Sequence, residues 1–192
     1  MPPHAITNQC PRLVFSRHAS AGLSCTTCHS IHKSTAKPML KKPADDQCLS
    51  CHKRVEREFR RRSRHPFRKS GFDPLRSLTR GKVSCIDCHN PHGTGNHDAM
   101  LNNELDRTCA KCHPSFVGPH RFSHGGIGSG GNCMTCHLPH GSPHRDLLKS
   151  RGRSTCLQCH ANRVTHFPSQ GCNSISCHVD IHGSNDNALF LR

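Results

Sequence analysis

Short α-helices in mostly irregular coil, with little or no β-sheet and with bound groups in place of a side-chain core, is the fold class this sequence predicts. Three observations carry the prediction. First, the 192 residues are only 32% hydrophobic even with Cys counted, with no Trp, no Tyr and eight Phe, too little apolar material to close an ordinary core. Second, the net charge is +15, and such a polar, basic chain would by itself stay disordered. Third, fifteen Cys and nineteen His contradict disorder and point to metal, disulfides or a covalently held group. The same grounds argue against a conventional enzyme fold. The longest apolar runs, around Leu13–Phe15 and Ala188–Leu191, are far too short to span a membrane.

The cysteines are organised as a repeat. Six Cys-x-x-Cys pairs occur: Cys25 with Cys28, Cys48 with Cys51, Cys85 with Cys88, Cys109 with Cys112, Cys133 with Cys136 and Cys156 with Cys159. A wider pair follows, Cys172 with Cys177, and Cys10 is left over. The regular pairs form three couples, 25–52, 85–113 and 133–160, and a last site spans 172–182. Stretches such as HGGIGSGGN at 124–132 separate the couples. The second pair of each couple reads as part of a short helix, with Asp45 or Asp46, Asn102 or Asn103, and Ser154 as expected N-caps. On such a helix Cys109, Cys112 and His113 share one face. The first pairs lie beside turn residues, as in Asn90-Pro91-His92-Gly93 and Leu138-Pro139-His140-Gly141.

Two readings compete with haem. The spacing within each couple lies within or beside the range of zinc ribbons, and fourteen cysteines could close seven disulfides. The histidines decide between them. His29, His52, His89, His113, His137, His160 and His178 each follow the second Cys of a pair directly. At one His in ten residues, seven such coincidences have a chance on the order of one in ten million. Four zinc thiolates need no His there, and neither does a disulfide. A c-type haem needs all three groups: two thiols that add to its vinyl groups and an imidazole that ligates iron from the proximal side. The sequence therefore predicts seven covalently bound haem c groups, numbered here as sites one to seven in chain order. In the wide site, CNSISCH, Cys172 and Cys177 are the expected attachment points, on the strength of its place at the end of the series. The haems supply the buried apolar surface the side chains lack, and without them the chain is expected to be unfolded.

Whether each iron has a second ligand separates electron transfer from catalysis. Two placements of the remaining histidines recur. His32, His92 and His140 lie three residues beyond a proximal His, and His182 four beyond. His18, His65, His124 and His166 lie upstream of a haem motif. These eight are the candidates for seven distal positions. His120 competes with His124, whereas His4, His97 and His144 read as surface residues. Met39, Met100 and Leu147 each precede a second pair by nine residues, so that place reads as packing, and Met134 lies inside a motif. Bis-His, low-spin, low-potential haems are expected.

The paired layout CTTCH-x2-H…CLSCH, CIDCHNPHG…CAKCH and CMTCHLPHG…CLQCH, with the ending CHVDIHGSN, resembles the decahaem cytochromes of the MtrA/DmsE type over roughly 18–185. The resemblance implies a haem wire in which each iron is held by two His, and a role in carrying electrons from periplasmic donors outward through an outer-membrane porin. It assigns the seven motif histidines to proximal roles and the CHxxH histidines to distal ones. The chain departs from that pattern in having seven sites in place of ten, a wide last site and a long basic insert. The same repeat also occurs in periplasmic shuttles and in cytochromes that polymerise outside the cell.

The insert, 53–84, holds twelve Lys/Arg against Glu56, Glu58 and Asp73, or +9 of the +15. Its first part, 53–62, reads as a helix with Val55 and Phe59 on one face. Two propionates per haem would nearly cancel the total charge, and the insert is also a candidate docking patch for an acidic redox partner or anionic surface. Aromatic interleaving is poor, which argues against nucleic acid. Haem attachment takes place after export, so a periplasmic or cell-surface protein is expected although the N-terminal residues lack a signal pattern. The sequence is thus read as a single elongated heptahaem domain that conducts electrons between redox partners, with no catalytic side chain. A reductase with one open haem and a filament-forming cytochrome that self-associates are the alternatives.

Overall fold

The computed structural model describes residues 16–33, 36, 39–67, 83–94, 100–101, 105–125, 132–174 and 177–191. His4, Cys10, His97, Asn102, Asn103 and most of the basic insert (68–82) lie outside the described residues.

Regular structure is sparse and short, as the composition predicts. The described α-helices are α1 (Arg17–Ser20), α2 (Cys25–Cys28), α3 (Ala44–Leu49), α4 (Lys53–Glu58), α5 (Leu105–Ala110), α6 (Pro114–Val117) and α7 (Arg153–Leu157), none longer than six residues. Single 3-10 turns occupy Cys85–Asp87, Cys133–Thr135, Arg145–Leu147 and Ala161–Arg163. Two strands, β1 (Phe122–Ser123) and β2 (Gly183–Ser184), pair antiparallel with Phe122 opposite Ser184.

The second pair of each couple begins on a helix, since Cys48, Cys109 and Cys156 lie in α3, α5 and α7. The expected caps differ. Pro43 and Gly152 precede α3 and α7, so Asp45 and Asp46 fall in the first turn of α3 and Ser154 inside α7. Asp45 is buried and used elsewhere: its Oδ1 accepts from Ser84 Oγ at 2.6 Å and from Cys85 N at 2.9 Å. The helix expected over 53–62 stops at Glu58, where Arg60 N and Arg61 N donate to Arg57 and Glu58 carbonyls and tighten the end. Phe59 is buried just past it.

The chain divides into two compact units. The first comprises 1–56 and 66–104 and carries sites one to three. There α3 packs on the 3-10 turn Cys85–Asp87, and isolated bridges join His29 to Leu40 and His89 to Met100. The second comprises 57–65 and 105–192 and carries sites four to seven. In it α5 packs on α6 and on the turn Cys133–Thr135, α7 on Ala161–Arg163, and bridges join Ser63 to Ser142, His137 to Leu148 and His178 to Leu191. The middle couple, 85–113, is therefore shared between the two units.

Among the described residues the only buried hydrophobic side chains are Leu49 and Phe59, 3% and 8% exposed. Six buried residues are polar: Ser16, Asp45, Ser84, Thr108, Ser142 and Ser184. Ser142 shows how they work. It exchanges both backbone bonds with Ser63, its Oγ donates to the Leu148 carbonyl, and that Oγ accepts from His144 N. Polar bonds between loops set the backbone path, while side-chain burial contributes little.

Candidate haem sites

The six regular motifs close the same turn. The backbone N–H of His29, His52, His89, His113, His137 and His160 donates to the carbonyl of the first Cys of its own motif, four residues back, at 2.9–3.0 Å. That single helical turn puts both sulfurs and the imidazole on one side. In site seven His178 N donates at 2.9 Å to the Cys172 carbonyl, six residues back. The ends of the wide motif thus meet as in the other six.

Cys177 is the motif cysteine whose setting differs from the regular pattern. Cys51, Cys88, Cys112, Cys136 and Cys159 each donate their backbone N–H to the carbonyl of the first Cys of their own pair, at 3.2–3.3 Å. Cys177 N donates at 2.8 Å to Ser174 O, because with four residues between the cysteines the carbonyl three places back is no longer that of Cys172. Its half-buried thiol leans on Gln170 Oε1 at 3.8 Å. Cys177 still directly precedes His178, whose N–H returns to Cys172 O, so the wider loop keeps the cysteine and imidazole at the end of a closed turn. Its assignment as the second attachment point of site seven therefore rests on that closure and not on the regular geometry.

None of the fourteen motif cysteines is joined in a disulfide. Among the described residues, no three His, Cys, Asp or Glu gather as a zinc ion would require. A two-thiol, one-imidazole set on one turn fits haem c.

A clamp orients the histidine at the odd-numbered sites. Leu40, Met100, Leu148 and Leu191 form the bridges to His29, His89, His137 and His178. Lys41, Leu101 and Lys149 N donate to the carbonyls of Cys28, Cys88 and Cys136. The returning strand also accepts from the ring itself: His137 Nδ1 donates to Asp146 O at 2.7 Å and His178 Nδ1 to Leu189 O at 2.6 Å. That bond leaves Nε2 as the ligating nitrogen. Met39, Leu147 and Phe190, each just before a bridge, adopt left-handed φ of 56°, 59° and 58°. Counting forward from the motif His therefore aligns Met100 with Leu40 and Leu148. The expected equivalence of Met39, Met100 and Leu147, counted back from the second pair, does not hold, because the middle couple carries its extra residue beyond the bridge.

Five histidines from the eight candidates lie opposite a motif histidine. Ring centroids are 6.0 Å apart for His18 and His52, 5.9 Å for His29 and His92, and 6.1 Å for His65 and His113. They are 6.2 Å apart for His124 and His160 and 6.1 Å for His137 and His182. The rings of His29 and His92, and of His137 and His182, are within 29° and 15° of parallel. The same separation recurs at tilts of 49°, 50° and 58°. Two imidazoles that bound one metal from opposite sides at about 2 Å each would place their centroids about 6 Å apart whatever the rotation between the rings.

Backbone contacts hold the outlying rings. His18 Nδ1 donates to Pro91 O at 2.9 Å and His65 Nδ1 to Pro139 O at 2.5 Å, the same proline of two successive Pro-His-Gly turns. The β1–β2 pairing sets His124, just after β1, beside His182, just before β2. Burial lowers the His124 pKa, with help from His160. Burial also lowers that of His182, then His137, His124 and His120 in turn. Both rings are held neutral, as metal ligation requires.

The other three candidates sit differently. His32 is exposed. His140 packs on Phe59 at 5.4 Å and its Nδ1 donates to Glu58 Oε2 at 3.1 Å. His166 is exposed, edge-on to Phe167, with its carbonyl bound by Arg153. His120, the competitor of His124, lies under Gly183 with its Nε2 buried and without a hydrogen-bond partner.

Comparison with known proteins decides the family. The family model described as Cytochrome c3 matches residues 17–114, just over half of the chain, and that of the doubled CXXCH motif matches 124–165. The chain belongs to the multihaem c-type cytochromes. It is 32% identical over 187 residues to the multiheme cytochrome MtrA of Shewanella baltica (strain OS185), an alignment covering 88% of this chain and 52% of that protein. The chain thus spans about half the length of this curated relative. The cytochrome c3-like fold, with short helices, irregular coil and a two-stranded sheet among the described residues, agrees with the expectation from composition. Covalent haem c on CXXCH motifs and relation to a multihaem cytochrome follow from the same matches. Both matched segments end before Cys172 and Cys177, so the wide site takes no support from them.

In this multihaem cytochrome, cysteines of successive sites also interact. Cys48 shares a hydrogen bond with Cys85, which lowers the Cys48 pKa and raises that of Cys85. Cys109 shares one with Cys133, which brings Cys109 down to about 7 and raises Cys133 further with burial and Asp106. Burial followed by Cys172 pushes Cys156 up to about 11. Weaker electrostatic links join Cys28 to Cys48 and Cys51, and Cys136 to Cys159. Sites one, two and three of the first unit, and four to seven of the second, are thereby linked in chain order.

One prediction arises from the Gly after His182. Gly183 has φ +148°, and a Cβ there would overlap the His120 ring. Gly183→Ala should displace the β2 edge and His182 at a cost of about 1–3 kcal/mol. The thermal midpoint of the haem-loaded protein should fall accordingly, and an unchanged midpoint would show that this edge yields freely.

Proposed function

We propose that this cytochrome is an electron conduit of seven c-type haems, each iron held between two histidines, working in respiration between periplasm and cell exterior. Haem supplies one-electron redox chemistry when bound. The chain supplies attachment through the seven cysteine pairs, from Cys25 with Cys28 to Cys172 with Cys177. It supplies proximal ligation through the seven motif histidines, and distal ligation through His18, His65, His92, His124 and His182. His32, His140 and His166 are the candidates for the other two irons. The recurring 6 Å separation of opposed imidazoles is the observation that carries this reading. The nearness of the cysteines of successive sites supports a relay within each unit, from site one to site three in the first and from site four to site seven in the second.

No side chain is assigned an acid, base or nucleophile role. The CO response of the dithionite-reduced, haem-loaded protein tests this. Fully capped irons leave the Soret and α bands unmoved. A shift in about one-seventh of the absorbance would mean one open haem, and the reductase alternative would take over.

The partners we propose are redox proteins, a periplasmic donor and an outer-membrane porin assembly on the acceptor side, as for the MtrA-type resemblance. No described helix is long and apolar enough to cross a membrane. Arg57, Arg60, Arg61 and Arg62 are exposed and favour an acidic partner surface. Replacing Arg60, Arg61 and Arg62 by Gln should slow electron exchange with an acidic cytochrome and flatten its salt dependence in stopped-flow mixing. Rates that keep their dependence on ionic strength would remove this patch from the docking site.

A further inference from the structure

The junctions between couples carry a charged residue at one fixed place, three residues before the first Cys of an even-numbered site: Asp45 before Cys48, Asp106 before Cys109 and Arg153 before Cys156. The two aspartates make the same contact. Asp45 Oδ1 accepts from Cys85 N at 2.9 Å and from Ser84 Oγ at 2.6 Å, at the entry to site three. Asp106 Oδ1 accepts from Cys133 N at 2.9 Å and from Cys133 Sγ at 2.9 Å, at the entry to site five. Each carboxylate stands on the helix of one site and caps the turn of the next. It thereby fixes the contact of Cys48 with Cys85, or of Cys109 with Cys133. Asp87, whose Oδ2 accepts from Ser84 N at 2.8 Å, adds a second carboxylate at the first junction.

At the third junction the sign is reversed. Arg153 donates through Nη1 to Phe167 O at 3.0 Å and through Nη2 to the carbonyls of Arg163, Val164 and His166 at 3.1, 2.8 and 3.1 Å. It gathers the loop that leads into site seven, where Cys172 meets Cys156.

Resting on the heptahaem reading above, we infer that Asp45, Asp106 and Arg153 are positioning residues that set both the spacing and the relative potentials of the haem pairs they join, the carboxylates favouring the oxidised state at sites two to five and the guanidinium the reduced state at sites six and seven. A half-buried charge between two attachment points acts in a medium of low dielectric constant and is felt at both. The C-terminal pair is therefore the electron sink of the second unit, and the relay has a built-in direction.

Redox titration of the haem-loaded chain, followed in the α band, tests this together with the haem count from intact mass. Asp106→Asn keeps an amide oxygen for Cys133 N and removes the charge. The midpoints of two sites of the seven should move to more positive potential, with all haems retained. Asp106→Glu keeps the charge and should restore the parent curve. Arg153→Gln should move two sites to more negative potential. Parent-like curves for Asp106→Asn and Arg153→Gln with full haem content would overturn the inference, as would equal shifts for Asp106→Asn and Asp106→Glu. If Asp106→Asn loses haem, Arg153→Gln must show the negative shift alone or the inference falls. Failure of the underlying bis-His reading would appear separately, as CO binding to the parent protein.

Discussion

Produced without haem, the chain should show neither a cooperative thermal transition nor dispersed amide resonances. Of its described residues only Leu49 and Phe59 bury an apolar side chain. Each such burial contributes about 1.5–3 kcal/mol, whereas ordering the backbone costs about 1–2 kcal/mol for every residue. The short helices give no help, since six residues lie well below the length at which a helix holds in water. Exposed apolar residues such as Ile31, Phe116 and Phe167, at 76%, 50% and 65%, are available to pack on macrocycles. Circular dichroism and proton NMR on chain expressed where no haem is attached would check this. A sharp unfolding transition would show that polar loop contacts suffice, and the haem-held fold would have to be given up.

Replacing His182 with Ala should open one iron. The His182 ring lies 6.1 Å from that of His137 at 15°, with Phe116 at 4.7 Å on its flank, and the lowered pKa keeps it neutral. No other described histidine ring is placed opposite His137, whose own orientation is secured by its bond to Asp146 O. The variant should bind CO in about one-seventh of its Soret absorbance, and the midpoint of that site should rise as a strong-field nitrogen ligand is lost. The parallel change His144→Ala, at a residue given no ligand role, offers a comparison and should leave CO binding at the parent level. If His182→Ala ignores CO while seven haems are attached, His182 is not a ligand and the opposed-ring argument fails at the pair with the most nearly parallel rings.

What can be read from the sequence is what is local. The CXXCH motif is a single turn, so the positions of both sulfurs and the motif imidazole follow from three neighbouring residues, and the lack of a core follows from composition. The wide last site belongs here only in part. Its ends close through His178 N and Cys172 O as in the other motifs, but the bond from Cys177 N to Ser174 O matches none in the regular pairs. The eight outlying histidines can be nominated by recurrence, but not matched. His18 lies opposite His52 and His92 opposite His29 because loops of unrelated length return to the motif turns. Those paths depend on Pro91 and Pro139 carbonyls, on the β1–β2 register and on buried serines, which leave no periodic trace. Asp45 shows the same limit: its place in the first turn of α3 suggests a cap for its own helix, and the folded chain gives it to Ser84 and Cys85 instead. Attachment chemistry and class of fold are thus legible in the residues alone, because covalent bonds and single turns are short-range. Which rings face one another, and which charges stand between sites, emerges only on folding, because those are contacts between segments far apart in the chain.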